Sequence, residues 1–171
     1  MLHTMMQYLD KKHAFTTVSA HCDIPCKIYD PSAAQIAALT IIRMVDLINE
    51  LKELQTAGVI DITSLSELQR LITQKEEHGL KVKQEITTIW GDYIKTPQLE
   101  AFPELHELTH SIMLLSSKAK QTIDREASLT LLEKVNRFAE IFWETKGTKT
   151  YTATCPYPPQ QAVVYPDLKG A

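Results

Sequence analysis

Glycine is scarce, with 5 in 171 residues against a heavy load of Leu, Ile, Glu and Lys, and that balance favours helix over loop-rich folds. Cysteine is scarcer still. Cys22, Cys26 and Cys155 are the 3 present, too few and odd in number for a disulfide framework. A basic surplus is missing as well: the formal charge is -3, where a nucleic-acid binder normally shows a positive stripe. No apolar run stands out as a membrane span. A secretory leader would need a basic start and an apolar stretch of about 7–15 residues. Asp10, Lys11, Lys12 and His13 fall where that stretch should be. The expectation is one soluble, cytoplasmic domain with no nucleic-acid or membrane partner.

What is present begins with Thr17-Val18-Ser19-Ala20, which has the small-residue look of a cleavage site. Residues 1–20 read as a propeptide, although an uncleaved, loose terminus is the commoner role of such a segment.

Beyond the first thirty residues the apolar spacing is helical. Asp30-Pro31 pairs an N-cap with proline at the first helical position. Ala37, Ile41, Met44, Ile48 and Leu51 then recur three and four apart, one face of a helix expected to stop near Ala57-Gly58. Ser64-Leu65-Ser66-Glu67 has the capping-box pattern for a second helix, with Leu68, Leu71, Ile72, Val82, Ile86 and Ile89 as its face and Gly79 inside it. Lys95-Thr96-Pro97-Gln98 breaks the pattern. A third helix restarts at Phe102-Pro103-Glu104 and a fourth runs from Asp124 to just before Gly147. The architecture expected is all-α, an antiparallel four-helix bundle over residues 31–146. No strand alternation is evident. Pro156, Pro158, Pro159 and Pro166, interleaved with tyrosines, mark residues 147–171 as an extended tail.

His21-Cys22-Asp23-Ile24-Pro25-Cys26 puts an imidazole and two thiols within six residues. On spacing alone it is either a metal site or an ordinary pair of thiols, because structural zinc wants four protein ligands and no second pair stands nearby. Cleavage after Ala20 would change the donor count by freeing an amine on His21, with an ordinary pKa near ~8. Amine and amide nitrogens with two thiolates, and imidazole above their plane, suit a square-planar nickel ion.

The run His21-Cys22-Asp23-Ile24-Pro25-Cys26-Lys27-Ile28-Tyr29-Asp30-Pro31 resembles the N-terminal hook, residues 21–30 here, of nickel-containing superoxide dismutases, whose pattern is H-C-D-x-P-C-x-x-Y-D-P. Ile89-Trp90-Gly91-Asp92-Tyr93, Phe102-Pro103-Glu104-Leu105-His106 and Ile141-Phe142-Trp143-Glu144-Thr145-Lys146 are similar to that family too, in the same order. The resemblance implies superoxide as substrate, dismutated to O2 and H2O2 by Ni(III)/Ni(II) cycling. It implies one nickel ion per subunit, held by the His21 amine and imidazole, the Cys22 amide and thiolate, and the Cys26 thiolate. Asp23 and Tyr29 would shape the site, Tyr93 would lie near a hook, and the Ile24-Pro25 peptide would be cis. It further implies a homohexamer and a separate protease for the propeptide. Lys27, Lys75, Lys83 and Lys95 are candidates for steering superoxide, each more often simply a solvated lysine.

Two positions depart from the family pattern. Ala37 stands where a glutamate partners the axial histidine, and His78 where a helper arginine is expected. Lys27 also replaces a common glycine. Two other readings compete. His106-Glu107-Leu108-Thr109-His110 is formally the H-E-x-x-H of zinc proteases, though Ile112 to Leu115 beyond it look like core. A helical scaffold using Cys22 and Cys26 for redox or metal delivery would not need a free amine at His21, whereas the dismutase does.

Overall fold

The structure is a computed structural model, which describes residues 27–53 and 61–170. Asp30 accepts the Ser32 N–H at 2.8 Å, and α1 (Ser32–Glu53) comes next. Ala34, Ala37, Ala38, Ile41, Ile42, Val45 and Ile48 are all buried, a stripe at the expected helical spacing. The stop expected near Ala57-Gly58 lies outside the described residues. By length and composition α1 could cross a membrane, at 22 residues and mean hydropathy 1.2. That corrects the expectation of no such run. Half of the apolar window is buried within the protein, as in a core helix.

The second helix, α2 (Ile62–Thr88), starts earlier than Ser64-Glu67 suggests. Asp61 is the N-cap, accepting the Thr63 and Ser64 N–H groups at 2.8 and 3.1 Å. Ser64 donates its hydroxyl to the same carboxylate at 2.6 Å, so it braces the cap rather than forming it. The helix continues into a π-helical turn at Ile89–Tyr93. The expected break at Lys95 hides a short helix, α3 (Thr96–Ala101). Pro97 sits in its first turn, where its missing N–H costs nothing, and the Gln98 side chain accepts the Lys95 N–H at 3.0 Å. α4 (Leu105–Gln121) and α5 (Arg125–Thr145) complete the helices. Asp124 caps α5 by accepting the Ala127 N–H at 2.9 Å. Gly147, at φ +72°, closes it in the left-handed conformation that glycine adopts most easily.

The four long helices form a ring in which α1 packs on α2 and α5, and α4 on those same two. Side-chain contacts fix the directions. Asp46 meets Arg125 while Gln35 meets Asn136, so α1 and α5 are antiparallel. Lys75 reaches Ala119 while Trp90 reaches His106, so α2 and α4 are too. Lys118 with Asp124 and Arg137 with Glu104 do the same for α4 and α5. This is the antiparallel four-helix bundle expected.

Ile41, Ile42, Val82, Ile86, Leu105, Ile112, Leu131, Val135, Phe138 and Phe142 fill its core. Each large side chain so buried contributes about 1.5–3 kcal/mol. The ion pairs lie at the surface, where one contributes about 0–1 kcal/mol, so apolar packing carries the bundle. At Gly79, α2 runs against α4 so closely that a Cβ there would stand 2.3 Å from Lys120 Cγ.

The Pro/Tyr-rich segment corrects the expectation of an extended tail without strands. β1 (Thr150–Thr154) and β2 (Ala162–Pro166) pair antiparallel, with Tyr151 opposite Tyr165 and Thr152 opposite Val164. Thr, Tyr and Val favour a pleated surface, and the prolines that argue against helix sit in the loop and at the end of β2. Cys155 and Val163 are buried and join the core.

The amides of Gln35 and Asn136 stitch the hairpin to the bundle. Gln35 Nε2 donates to Asn136 Oδ1 and to the Val164 carbonyl, both at 2.9 Å. Asn136 Nδ2 donates to the Ala162 carbonyl at 2.9 Å, and its Oδ1 accepts the Val164 N–H at 3.3 Å. Two side chains thus satisfy β2 much as a neighbouring strand would.

Candidate functional site

His21, Cys22, Asp23, Cys26 and the Ile24-Pro25 peptide lie outside the described residues, as do residues 1–20. Lys27 is the first residue described, and its φ is 59°. That left-handed backbone is one glycine adopts without strain, which accounts physically for glycine being common at this position.

Tyr29 is half-buried, and its ring centroid lies 5.9 Å from that of Tyr93. Tyr93 therefore packs beside Tyr29, while the proposed ligands expected near it are outside the described residues. Tyr93 reaches this place because the π-helical turn Ile89–Tyr93 adds a residue to the winding of α2 and rotates the chain beyond it. Its ring packs on Phe142 at 5.1 Å, and Phe142 on Trp143 at 5.2 Å. Lys146 sets its Nζ 4.2 Å from the Tyr93 centroid.

The hydroxyl roles come from proton counting. Thr145 Oγ1 donates to the Phe142 carbonyl at 2.6 Å, so in its 2.7 Å contact with Tyr93 it accepts and the phenol donates. The Tyr93 oxygen retains lone pairs for a donor from outside. The Lys146 ammonium, held over the face of the Tyr93 ring, places positive charge beside the pair.

The lysines divide differently from expectation. Lys75 is buried, 2% exposed, and donates to the Ala119 carbonyl at 2.9 Å and to the Lys120 carbonyl. These belong to the last turn of α4, whose carbonyls lack partners within the helix and carry its negative end. Lys75 is thus a cap for α4, not a guide for superoxide. Lys83 donates to Ser117 Oγ at 2.5 Å and Lys95 to the Gly91 carbonyl at 2.9 Å. Lys27 is exposed. The lysine that does stand beside the tyrosines, Lys146, is not among those candidates, although it closes the Ile141–Lys146 stretch.

Among the described residues, neither departing position is seen to act as a partner for an axial histidine, since His21 itself lies outside them. Ala37 is core. His78 binds its own helix, Nδ1 lying 2.7 Å from the Gln74 carbonyl. Gln35, the buried polar group nearest in sequence, is committed to the hairpin.

The competing zinc motif lacks support among the described residues. No group of three or more His, Cys, Asp or Glu side chains there can hold a metal ion. His106 Nδ1 instead accepts the Trp90 indole N–H at 3.2 Å.

A profile of nickel-containing superoxide dismutase matches residues 16–146. The nickel superoxide dismutase of Streptomyces coelicolor is 33% identical over 132 residues, covering 76% of this chain and 91% of that protein. That of Streptomyces seoulensis is 33% identical over 129 residues, covering 75% and 90%. A native nickel superoxide dismutase structure superposes with TM-score 0.61 at 32% identity, covering 74% of this chain and 99% of that one. The form with nickel ligation of the oxidised state gives 0.62 at 31% identity, over the same shares.

The family match over most of a helical bundle thus defines a metalloenzyme of the dismutase class, and the chain belongs to the nickel-containing superoxide dismutase family. It is a superoxide dismutase of the nickel type, with nickel as its cofactor.

Proposed function

We propose that superoxide is dismutated here at a nickel ion held by residues 21–26, exposed as a new N-terminus when the chain is cut between Ala20 and His21. The observation that carries this reading is the run from His21 to Pro31, which lies wholly within the matched residues. The His21 amine and imidazole, the Cys22 amide nitrogen and thiolate, and the Cys26 thiolate would hold the ion, a donor set that fits nickel by chemistry. Bound there, nickel supplies a one-electron couple between its divalent and trivalent states, which anionic sulfur and amide donors bring within reach.

The remaining work falls to this chain's own groups. Lys146 draws the anion toward the tyrosine pair. Tyr29 and Tyr93 narrow the approach, and the Tyr93 oxygen, its proton spent on Thr145, accepts from a water or a protonated product. Asp23 shapes the hook.

Ile28, within the hook, is 78% exposed, and Ile36, close to it in sequence, is 53% exposed. A short hook cannot bury itself, so neighbouring copies in a homohexamer would cover these side chains. A separate protease making the Ala20–His21 cut, and a cytoplasmic setting, complete the proposal.

The test is to purify the protein from its source, measure metal content and read the N-terminal residue on one sample. About one nickel per chain with His21 first supports the proposal, as does loss of nickel in Cys22→Ser and Cys26→Ser. Active, nickel-loaded protein that still begins at Met1 would overturn the cleavage, and zinc on a chain beginning at His21 would overturn the ligand set.

A further inference from the structure

The C-terminal hairpin has two edges, and the bundle uses one of them. In an antiparallel pair, residues alternate between those whose N–H and C=O face the partner strand and those whose groups face outward. Cys155 N–H donates to the Gln161 carbonyl at 2.9 Å and Asp167 N–H to the Lys149 carbonyl at 2.7 Å. Counting by two, Tyr151 and Ala153 face β2, while Thr150, Thr152 and Thr154 turn their backbone groups away. The same alternation turns Ala162 and Val164 outward on β2, and there Gln35 and Asn136 meet them. No hydrogen bond among the described residues meets the outward groups of β1.

Edge strands of natural proteins are usually protected by lysine, proline or a bulge. The run Thr150-Tyr151-Thr152-Ala153-Thr154 has none of these. Thr152 and Thr154 are exposed and Tyr151 is 53% exposed. The row also complements itself. Antiparallel pairing about a twofold axis at Thr152 sets Thr152 against its own copy and Thr150 against Thr154, so every outward group meets an outward group. Threonine faces threonine at each of those positions, a favourable cross-strand pair, and no like charges meet.

We propose that β1 is a docking edge for β1 of a second copy of this chain, joining the two hairpins into one continuous sheet. The hairpin lies beyond residue 146, where the family match ends, so this contact is additional to any assembly made by the bundle. One short strand pair buries less than the ~1,000 Å² expected of a stable interface. The contact is therefore concentration-dependent unless several strands act together within a larger assembly.

The test measures the mass of the full-length protein by light scattering over roughly a hundredfold range of concentration. Thr152→Pro removes an outward N–H and leaves the β1–β2 ladder intact. Thr152→Lys puts like charges across the axis and keeps the backbone. Ala153→Pro, by contrast, breaks the hairpin itself. The expected result is that wild type reaches a larger mass than Thr152→Pro and Thr152→Lys at high concentration, with all three showing the same far-ultraviolet circular dichroism. Equal masses for wild type and Thr152→Lys would overturn the proposal. So would cross-links from residue 152 in cells that reach another protein and not a second copy.

Discussion

Lys146 holds its ammonium 4.2 Å from the centre of the Tyr93 ring, and so fixes positive charge beside the Tyr29–Tyr93 pair. At a partly exposed site such a contact contributes about 0.5–1 kcal/mol, too little to matter much for folding. Its larger effect is on the approach of an anion. Lys146→Ala should lower kcat/KM roughly two- to fivefold at low ionic strength and flatten its salt dependence, while Lys146→Arg preserves both. Pulse radiolysis across a salt series checks this, and an unchanged salt slope in the alanine variant would remove Lys146 from substrate guidance.

Gln35 and Asn136 should behave as one unit. Gln35→Ala and Asn136→Ala each leave carbonyls of β2 without donors, costing about 1–3 kcal/mol. For a chain of this size each kcal/mol lowers Tm by about 2–4 °C. Because they share the Val164 contact, the double variant should cost less than the two together. Thermal unfolding of the double-mutant cycle reads the coupling, and additive losses would refute a shared clamp.

Thr109 Oγ1 is buried without a hydrogen-bond partner among the described residues. Thr109→Val keeps the shape and removes the unmet hydroxyl, so it should stabilise the protein by about 1 kcal/mol. Urea denaturation decides it: a loss of stability would mean the hydroxyl is satisfied in solution.

Lys75 gives a pH signature. Burial pushes its ammonium below the usual lysine range, against the pull of Glu76, and Lys120 adds to the depression. An ordinary lysine titrates near 10.5. Between the depressed native value and that figure the unfolded chain binds more protons, so the native state gains stability as pH rises through this window. Below it both states are charged and the penalty is full. The stability difference between wild type and Lys75→Met should therefore shift in favour of wild type from neutral to alkaline pH, and a flat difference would contradict the burial.

The helices were legible because their apolar residues recur at helical spacing, and Asp124 and Gly147 bracket α5 by cap chemistry alone. Asp61 was harder, since Ser64-Glu67 imitates a cap three residues later and both bind the same turn. The hairpin is hard to read from sequence because its strands are short, threonine occupies the outer positions, and four prolines lie in or beside it. Lys75 misled for a different reason. A sequence displays its charge, while the carbonyl that buries it lies 44 residues away. The proposed ligands were readable from the His21–Cys26 motif itself. Lys146 and Tyr93 come together only through tertiary packing.

Asp30, Tyr165 and Pro166 wall the same small cavity of about 110 Å³. A ribosome makes the first of these long before the other two. The scaffold beside Asp30 is therefore finished only when the end of the hairpin has left the exit tunnel. A metal ion delivered before the hairpin emerges would meet an incomplete support, while one delivered afterwards would meet the whole of it. In such a chain the order of manufacture separates making the proposed metal ligands from making their foundation.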